Sequence, residues 1–546
     1  MAANVFSNMR LPLLLALATV LFGCQTAPES SVPLSADVII ENGQVFDGTG
    51  AAGKQVDIAI SGDEIAYVGA GARYRYAAET TIDARGKIVA PGFIDPHTHA
   101  GSDLASTDSK RRANLPFAFQ GVTTVAIGND GRGKTNIAAQ AASASKNGVG
   151  TNIVYLAGFG HMRETVLGEE NRAPSDAELG RMKAMMKSAM CEGASGLSAG
   201  LYYTPQNFAK TGEVVALAKI AGAHGGIYDT HMRDESTYNI GVSGAVSEAL
   251  EIGKQSGASV HISHIKALGP EVWGHSSKMI ALVEAAQAAG QVVTADQYPW
   301  AASGTRISNA LVPRWALDGG LAGLRERLKD AKTLARIKSD MVKNLKRRGG
   351  ADKLLITAKL GDAAVVAGKT LAETASAAKL DAIDMAVEIL RKGDARVASF
   401  NMNASDIRAF AAREWVVTGS DGSTGHPRKY ASFPKAYQDF VVKEKLMTLA
   451  QFIRRSSGKT ADILGLKDRG YLKAGMKADI VIFDPAKFAP VATYQKPKLL
   501  SVGVEHLFVN GAHAIKDQKY TGALSGMALL KKQSCKIAVT LQPREQ

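Results

Sequence analysis

Between residues 91 and 421, strand-like segments alternate with helix-like ones, and this alternation constrains the fold more than any other feature of the chain. One candidate strand ends at His97 to His99. The others cover Gly121 to Gly128, Asn152 to Phe159, Gly193 to Gly200, Gly226 to Thr230, Ser259 to His264, Gln291 to Gln297 and Trp415 to Gly419. Helical segments such as Asp176 to Cys191 and Gly212 to Ala223 lie between most of them. The segments Gly121 to Gly128 and Asn152 to Phe159 are largely apolar, as strands covered on both faces should be. Eight β-then-helix units predict an α/β chain folded as a (β/α)8, TIM-like barrel rather than an open sheet. One interval is anomalous: Tyr298 to Glu414 is far longer than the rest, and its charged, helix-like stretch 308–356 predicts a small insertion near the barrel mouth. The strand-like Ala395 to Phe400 in the same interval competes for a place in the count.

Short alternating segments flank this region. Asp37 to Glu41, Asp57 to Ile60 and Glu64 to Val68 precede it, and Asp479 to Phe483 and Val504 to Asn510 follow it. Neither group makes a comfortable domain alone, so the two chain ends are expected to pair into one β-sandwich. The expected division is a β-sandwich from 37–90 plus 470–520 and a barrel from 91–307 plus 357–469. The insertion 308–356 and a C-terminal extension 521–546 complete it.

The first 23 residues lie outside the fold argument. A short region with Arg10 precedes the apolar run Leu11 to Phe22, which is too short to span a bilayer and suits an export signal. Leu21-Phe22-Gly23-Cys24 resembles a bacterial lipobox, which implies a lipid on Cys24, a tether over 24–36 and attachment to the membrane. Gln25 after Cys24 resembles the outer-membrane sorting rule, so the expected place is the cell envelope, facing the periplasm; cleavage to a soluble periplasmic form is the alternative. Beyond Cys24 only Cys191 and Cys535 remain, a pair that could bond but makes no disulfide scaffold. The formal charge is +14, yet its basic runs are short, and no zinc finger, helix-turn-helix or aromatic-basic repeat accompanies them. Attraction to anionic lipids or small acids is expected, and no nucleic acid.

Chemistry-bearing residues gather at the ends of the strands, where a barrel places its active site. His97 and His99 follow the first strand, and two imidazoles converging on one point suit a zinc-like ion. His231 closes the fifth strand. His261 and His264 close the sixth on opposite faces of an ideal strand, and spacing alone does not choose between them. Asp421 follows the eighth strand, where a turn or cap role competes with a catalytic one.

Several ordered motifs give the chain a resemblance. They are Pro91-Gly92-Phe93-Ile94-Asp95-Pro96-His97-Thr98-His99, Gly121-Val122-Thr123-Thr124-Val125 and Gly193 to Tyr203, followed by Tyr228 to Glu235, Ser263 to Lys266, Gly419 to Gly422 and His426-Pro427-Arg428. With these the chain resembles the amidohydrolase superfamily, and specifically the N-acyl-D-amino-acid deacylase (D-aminoacylase) family, over nearly all of its length past the leader. The resemblance implies zinc, one or two ions. His231 and His264 would carry the tightly bound metal, His97 and His99 would lie at a second position, and Asp421 would shuttle protons. It implies hydrolysis of an N-acyl-D-amino acid to a carboxylic acid and a D-amino acid. Lys266, Tyr298 and Arg428 match family positions for the substrate's free α-carboxylate.

One departure matters. The family usually reads Gly-Asn-Cys-Gly after the second strand, with the cysteine a metal ligand; here the chain reads Gly128-Asn129-Asp130-Gly131. A carboxylate coordinates zinc as a harder ligand and is able to bridge two ions, so Asp130 is expected to be a ligand. Leu311 falls nearest the position of an arginine used by relatives acting on acidic residues, which favours a neutral side chain, although Arg306 lies close by. His161 matches a family loop motif and receives no role. The alternatives are an envelope dipeptidase, with Asp234 or Glu235 turned inward to meet an amino group, a cyclic amidase, and a lipoprotein that binds a ligand after losing catalysis at Asp130.

Overall fold

The computed structural model describes residues 33–532 and Cys535. The expected leader 1–23, the lipid site at Cys24 and most of the tether lie outside the described residues. Eight parallel strands follow one another around a barrel: Phe93–Asp95, Val122–Ile127, Asn152–Gly158, Gly196–Gly200, Ile227–His231, Ser259–Ile262, Val293–Gln297 and Val416–Thr418. The last and first strands meet just beyond their ends. There the Asp421 amide donates to the His97 carbonyl at 2.9 Å, the His99 amide donates to the Gly422 carbonyl at 3.1 Å, and Thr98 bridges Gly422. The backbone that closes the barrel is thus the backbone that carries two histidines and Asp421.

The helices form where the sequence supplies both an apolar face and a start signal. Asp176–Cys191 opens on a capping box in which the Ser175 hydroxyl accepts from the Glu178 amide and Glu178 accepts from the Ser175 amide. It buries Met182, Met186, Ala189 and Met190 against the barrel. Cys191 at its end is bonded to Cys535, which ties the C-terminal segment to the barrel wall.

The extended run from Ile88 to His99 is divided. Ile88–Pro91 pairs with Ile480–Phe483 and Gln44–Val45 in a seven-stranded sheet, and Phe93–Asp95 starts the barrel. Gly92 permits the switch, because a Cβ there would stand 2.3 Å from the Thr123 side chain. A second, four-stranded sheet holds Leu34–Glu41, Asp57–Ser61, Glu64–Gly69 and Tyr76–Asp83. Val38, Ile40, Ile58, Ile60 and Ile65 of this sheet enclose one core with Val89, Ile480, Ile482 and Phe508 of the other. Both chain ends therefore build the sandwich.

Ala395 to Phe400 does not join the barrel. Gly393–Phe400 is the central strand of a separate antiparallel sheet, flanked by Ala302–Arg306 and Leu354–Gly361. The expected helical insertion 308–356 is one part of this larger unit, whose core holds Ile307, Leu311, Leu324, Ile337, Met341, Ile356 and Leu390. Among the described residues, no helix is long and apolar enough to cross a membrane.

Sandwich and barrel are joined by a buried polar knot. Asp479 accepts from the Arg469 guanidinium, from the Asn510 amide at 2.8 Å and from Asn152 of the third barrel strand at 2.9 Å. Arg469 and Asp479 are buried to 1% and 3% exposure, so cutting one partner strands the other's charge. Arg469→Ala is expected to destabilise the fold by about 3–5 kcal/mol, read from the shift of its denaturation midpoint.

Candidate metal centre

Six side chains converge at the carboxyl ends of the strands. Asp130 stands at their middle. Its Oδ1 lies 3.6 Å from His97 Nε2, from His231 Nδ1 and from His264 Nε2, and its Oδ2 lies 3.5 Å from His99 Nε2. His231 Nδ1 and His264 Nε2 are 2.8 Å apart. Two groups able to hold a metal ion share the one carboxylate: His97, His99 and Asp130, and Asp130, His231 and His264. Asp421 Oδ1 lies 3.0 Å from His99 Nε2 and 3.8 Å from His97 Nε2.

This cluster fits metal ions better than internal hydrogen bonding. Both ring nitrogens of His97, Nε2 of His231 and Oδ1 of Asp130 are buried without a hydrogen-bond partner among the described residues. Burial holds the His97 ring down to a pKa of about 4, the neutral form that donates a lone pair to a metal. A nitrogen and oxygen donor set of this kind suits zinc.

Backbone strain sits at the same place. Asp130, His264 and Asp421 have φ of +58°, +36° and +47°, in the left-handed region that non-glycine residues rarely occupy. Surrounding contacts hold them there. The Asp130 carbonyl accepts from Gln206 Nε2 at 2.9 Å, and Gln206 Oε1 accepts from the Gly200 amide at 2.7 Å. His264 follows the end of its strand at Ile262, so the alternation that places His261 no longer governs it. His261 turns to the next barrel strand instead, with Nε2 3.2 Å from Asp296 and Nδ1 2.8 Å from the Thr294 hydroxyl.

Asp421 is ionised. Burial pushes its carboxyl up, but the Arg428 guanidinium 2.7 Å from Oδ2, with the neighbouring imidazoles, holds it well below the usual carboxylate range. Arg428 also lies 4.8 Å over the Tyr298 ring, and Lys266 Nζ lies 6.0 Å from the same ring. The three residues expected around a substrate carboxylate are thus neighbours, though in different states. Lys266 Nζ already meets Glu235 at 2.5 Å and His264 Nδ1 at 2.8 Å. The Tyr298 hydroxyl is buried with no hydrogen-bond partner among the described residues.

Glu235 does turn inward, whereas Asp234 accepts from the amides of Ser236, Asn239 and Gly241 and shapes its own loop. A cavity of about 570 Å³ opens beside His99, Asp130 and Asp421 and reaches Arg132, Arg306 and Arg396. A smaller lobe lies between His231, His264, Lys266 and the buried Arg348. Leu311 is sealed in the core of the insertion, and Arg306 lines the cavity instead. Nothing in the local sequence marks Arg348, Arg396 or Arg132 for the site, because the first two reach it through the fold of the insertion.

The profile of the amidohydrolase family matches residues 80–295 and 329–514. The D-aminoacylase of Alcaligenes xylosoxydans xylosoxydans is 30% identical over 524 residues, spanning 91% of this chain and 98% of that protein. The chain belongs to the amidohydrolase family. Among solved structures, a D-aminoacylase studied for its binuclear metal centre is 30% identical, with a TM-score of 0.77 over 91% of this chain and 100% of that one. An N-acyl-D-glutamate deacylase from Bordetella bronchiseptica, complexed with zinc and a phosphonate that mimics the tetrahedral intermediate, is 28% identical with the same TM-score, covering 91% of this chain and 100% of that one. As an amidohydrolase, this protein is a metal-dependent hydrolase of a non-peptide carbon–nitrogen bond, built around a centre able to hold two ions.

Proposed function

We propose that this amidohydrolase uses zinc, at one or two positions, to hydrolyse N-acyl-D-amino acids to a carboxylic acid and a D-amino acid. The observation that carries the reading is the convergence of four imidazoles, Asp130 and an ionised Asp421 on one point beside a cavity large enough for an acylated amino acid. The D-configuration rests on the relatives, a D-aminoacylase and an N-acyl-D-glutamate deacylase.

His231 and His264 would hold one ion, His97 and His99 the other, and Asp130 both. Zinc held by these residues would supply a Lewis acid for the amide carbonyl and a lowered pKa for water. Asp421, ionised and in reach of the centre, accepts the proton of the attacking water and passes it to the leaving nitrogen. The unpartnered Tyr298 hydroxyl donates to the substrate's α-carboxylate. Arg428 and Lys266 add positive charge beside it, each while holding an acid of the site in place. That pairing also weighs against dipeptide cleavage: Glu235, the acid available to a free amino group, already faces Lys266.

The leader sequence supports export and a lipid on Cys24 in the envelope. Cys24→Ser is expected to move the protein from the membrane to the soluble fraction on cell fractionation; retention in the membrane would contradict the anchor.

The activity test is metal analysis of the purified protein followed by a panel of N-acyl-D-amino acids, N-acyl-L-amino acids, dipeptides and cyclic amides. Turnover of the D-series is expected. Turnover of dipeptides or cyclic amides alone would overturn the deacylase reading, and bound zinc with no turnover would favour a binding protein.

A further inference from the structure

The guanidinium groups of Arg132, Arg306 and Arg396 line the large cavity, whose acidic lining residues are Asp130 and Asp421. Arg306 and Arg396 are direct cross-strand partners where Ala302–Arg306 pairs with Gly393–Phe400. Like charges in that relation weaken a sheet. Both line the cavity, and Arg132 joins them from the loop after Asp130, its guanidinium 5.5 Å over the Tyr203 ring. Among the described residues none of the three forms an ion pair. The nearby carboxylate of Asp394 is taken up by the Ser308 hydroxyl and the amides of Ser308 and Ala395. The fully buried Arg163 and Arg469 find acids in Glu213 and Asp479, whereas Arg306 and Arg396 are half-buried and Arg132 is exposed to the cavity. Burial, together with repulsion between the guanidiniums, holds Arg306 and Arg396 below their ordinary basicity despite the attraction of the Asp394 carboxylate. An anion entering the cavity would remove that penalty.

We infer that Arg132, Arg306 and Arg396 form a subsite for a second carboxylate of the substrate, distinct from the α-carboxylate and distal to the scissile amide. The inference rests on the proposed hydrolysis of N-acyl amino acids and adds to it the class of substrate. Guanidinium forks from two facing strands and one barrel loop suit a planar carboxylate. Such a group has two chemical sources, the side chain of the amino acid or the far end of the acyl chain.

Steady-state kinetics of the zinc-loaded full chain separate them, using N-acetyl-D-leucine, N-acetyl-D-glutamate and N-succinyl-D-leucine. At least one of the two dianionic substrates is expected to exceed N-acetyl-D-leucine in kcat/KM by about tenfold or more, mainly through KM. The glutamate derivative responding alone assigns the side chain, and the succinyl derivative alone assigns the acyl chain. In Arg306→Met and Arg396→Met the ratio of dianionic to monoanionic kcat/KM is expected to fall toward one, and Arg306→Lys to fall between. Equal kcat/KM for all three substrates, or a ratio that neither methionine variant changes, would overturn the subsite.

Absence of turnover on every substrate would overturn the proposed reaction instead. Calorimetric titration with succinate and with acetate then decides the subsite alone. Succinate is expected to bind the wild type about tenfold or more tightly than acetate, with the difference lost in the double methionine variant. Equal affinities, or a difference that survives the double substitution, would contradict it.

Discussion

Asp421→Asn is expected to lower turnover by about 10³-fold while leaving the metal content of the protein unchanged. The substitution keeps the shape of the side chain and removes its capacity to accept a proton. The backbone should tolerate it, because asparagine enters the left-handed region at φ +47° as readily as aspartate does. Turnover measured beside metal analysis by mass spectrometry separates the roles: a near-normal rate would remove Asp421 from the reaction, and a loss of metal would make it a ligand. Arg428 gives this prediction a pH dependence. The guanidinium 2.7 Å from Asp421 helps hold the carboxyl below the usual range, so removing it lets the carboxyl rise and take up a proton at higher pH. Arg428→Met should therefore move the acid limb of the activity profile to higher pH, in addition to raising KM.

Asp130→Ala should lose both metal and activity, the second of the two largest effects. One carboxylate stands 3.5–3.6 Å from four imidazole nitrogens, so deleting it removes a ligand from both sets at once. Turnover is expected to fall by at least about 10²-fold, with less than half of the wild-type metal retained. Asp130→Cys is the informative companion. A thiolate is a good zinc ligand, so this variant should recover metal that alanine loses. Full metal content in Asp130→Ala would mean that the aspartate shapes a loop and ligates nothing.

The barrel was legible because its strands are contiguous apolar runs with chemistry at their ends, and both features are local. Asn152 to Gly158 and Val122 to Ile127 are buried along their entire length, as their composition implied. The insertion was less legible. Its sheet joins Ala302–Arg306 to Gly393–Phe400 across almost the whole interval, and no spacing rule announces a pairing between strands so far apart. The division at Gly92 was hidden for a different reason: Ile88–Pro91 and Phe93–Asp95 are both buried along their whole length, and only the close Thr123 side chain shows why the chain changes sheet there.

The site divides in the same way. His97, His99, His231 and Asp421 could be picked out from strand ends alone, whereas the choice of His264 over His261 needed the motif, since it depends on where a strand stops. The ion pair of Lys266 with Glu235 and the guanidiniums that gather around the cavity are tertiary facts. Leu311 is enclosed in the insertion core, and Arg306 lines the cavity in its place.

Chelation and reconstitution test the central claim most directly. Hydrolysis of N-acetyl-D-leucine and N-acetyl-D-glutamate would be followed after the purified protein is stripped of metal, and again as zinc is added back. A rate at background is expected in the stripped protein, with recovery that saturates at one or two zinc ions per chain. A metal-free protein that keeps its rate, or a zinc-loaded one whose rate owes nothing to the zinc, would contradict it.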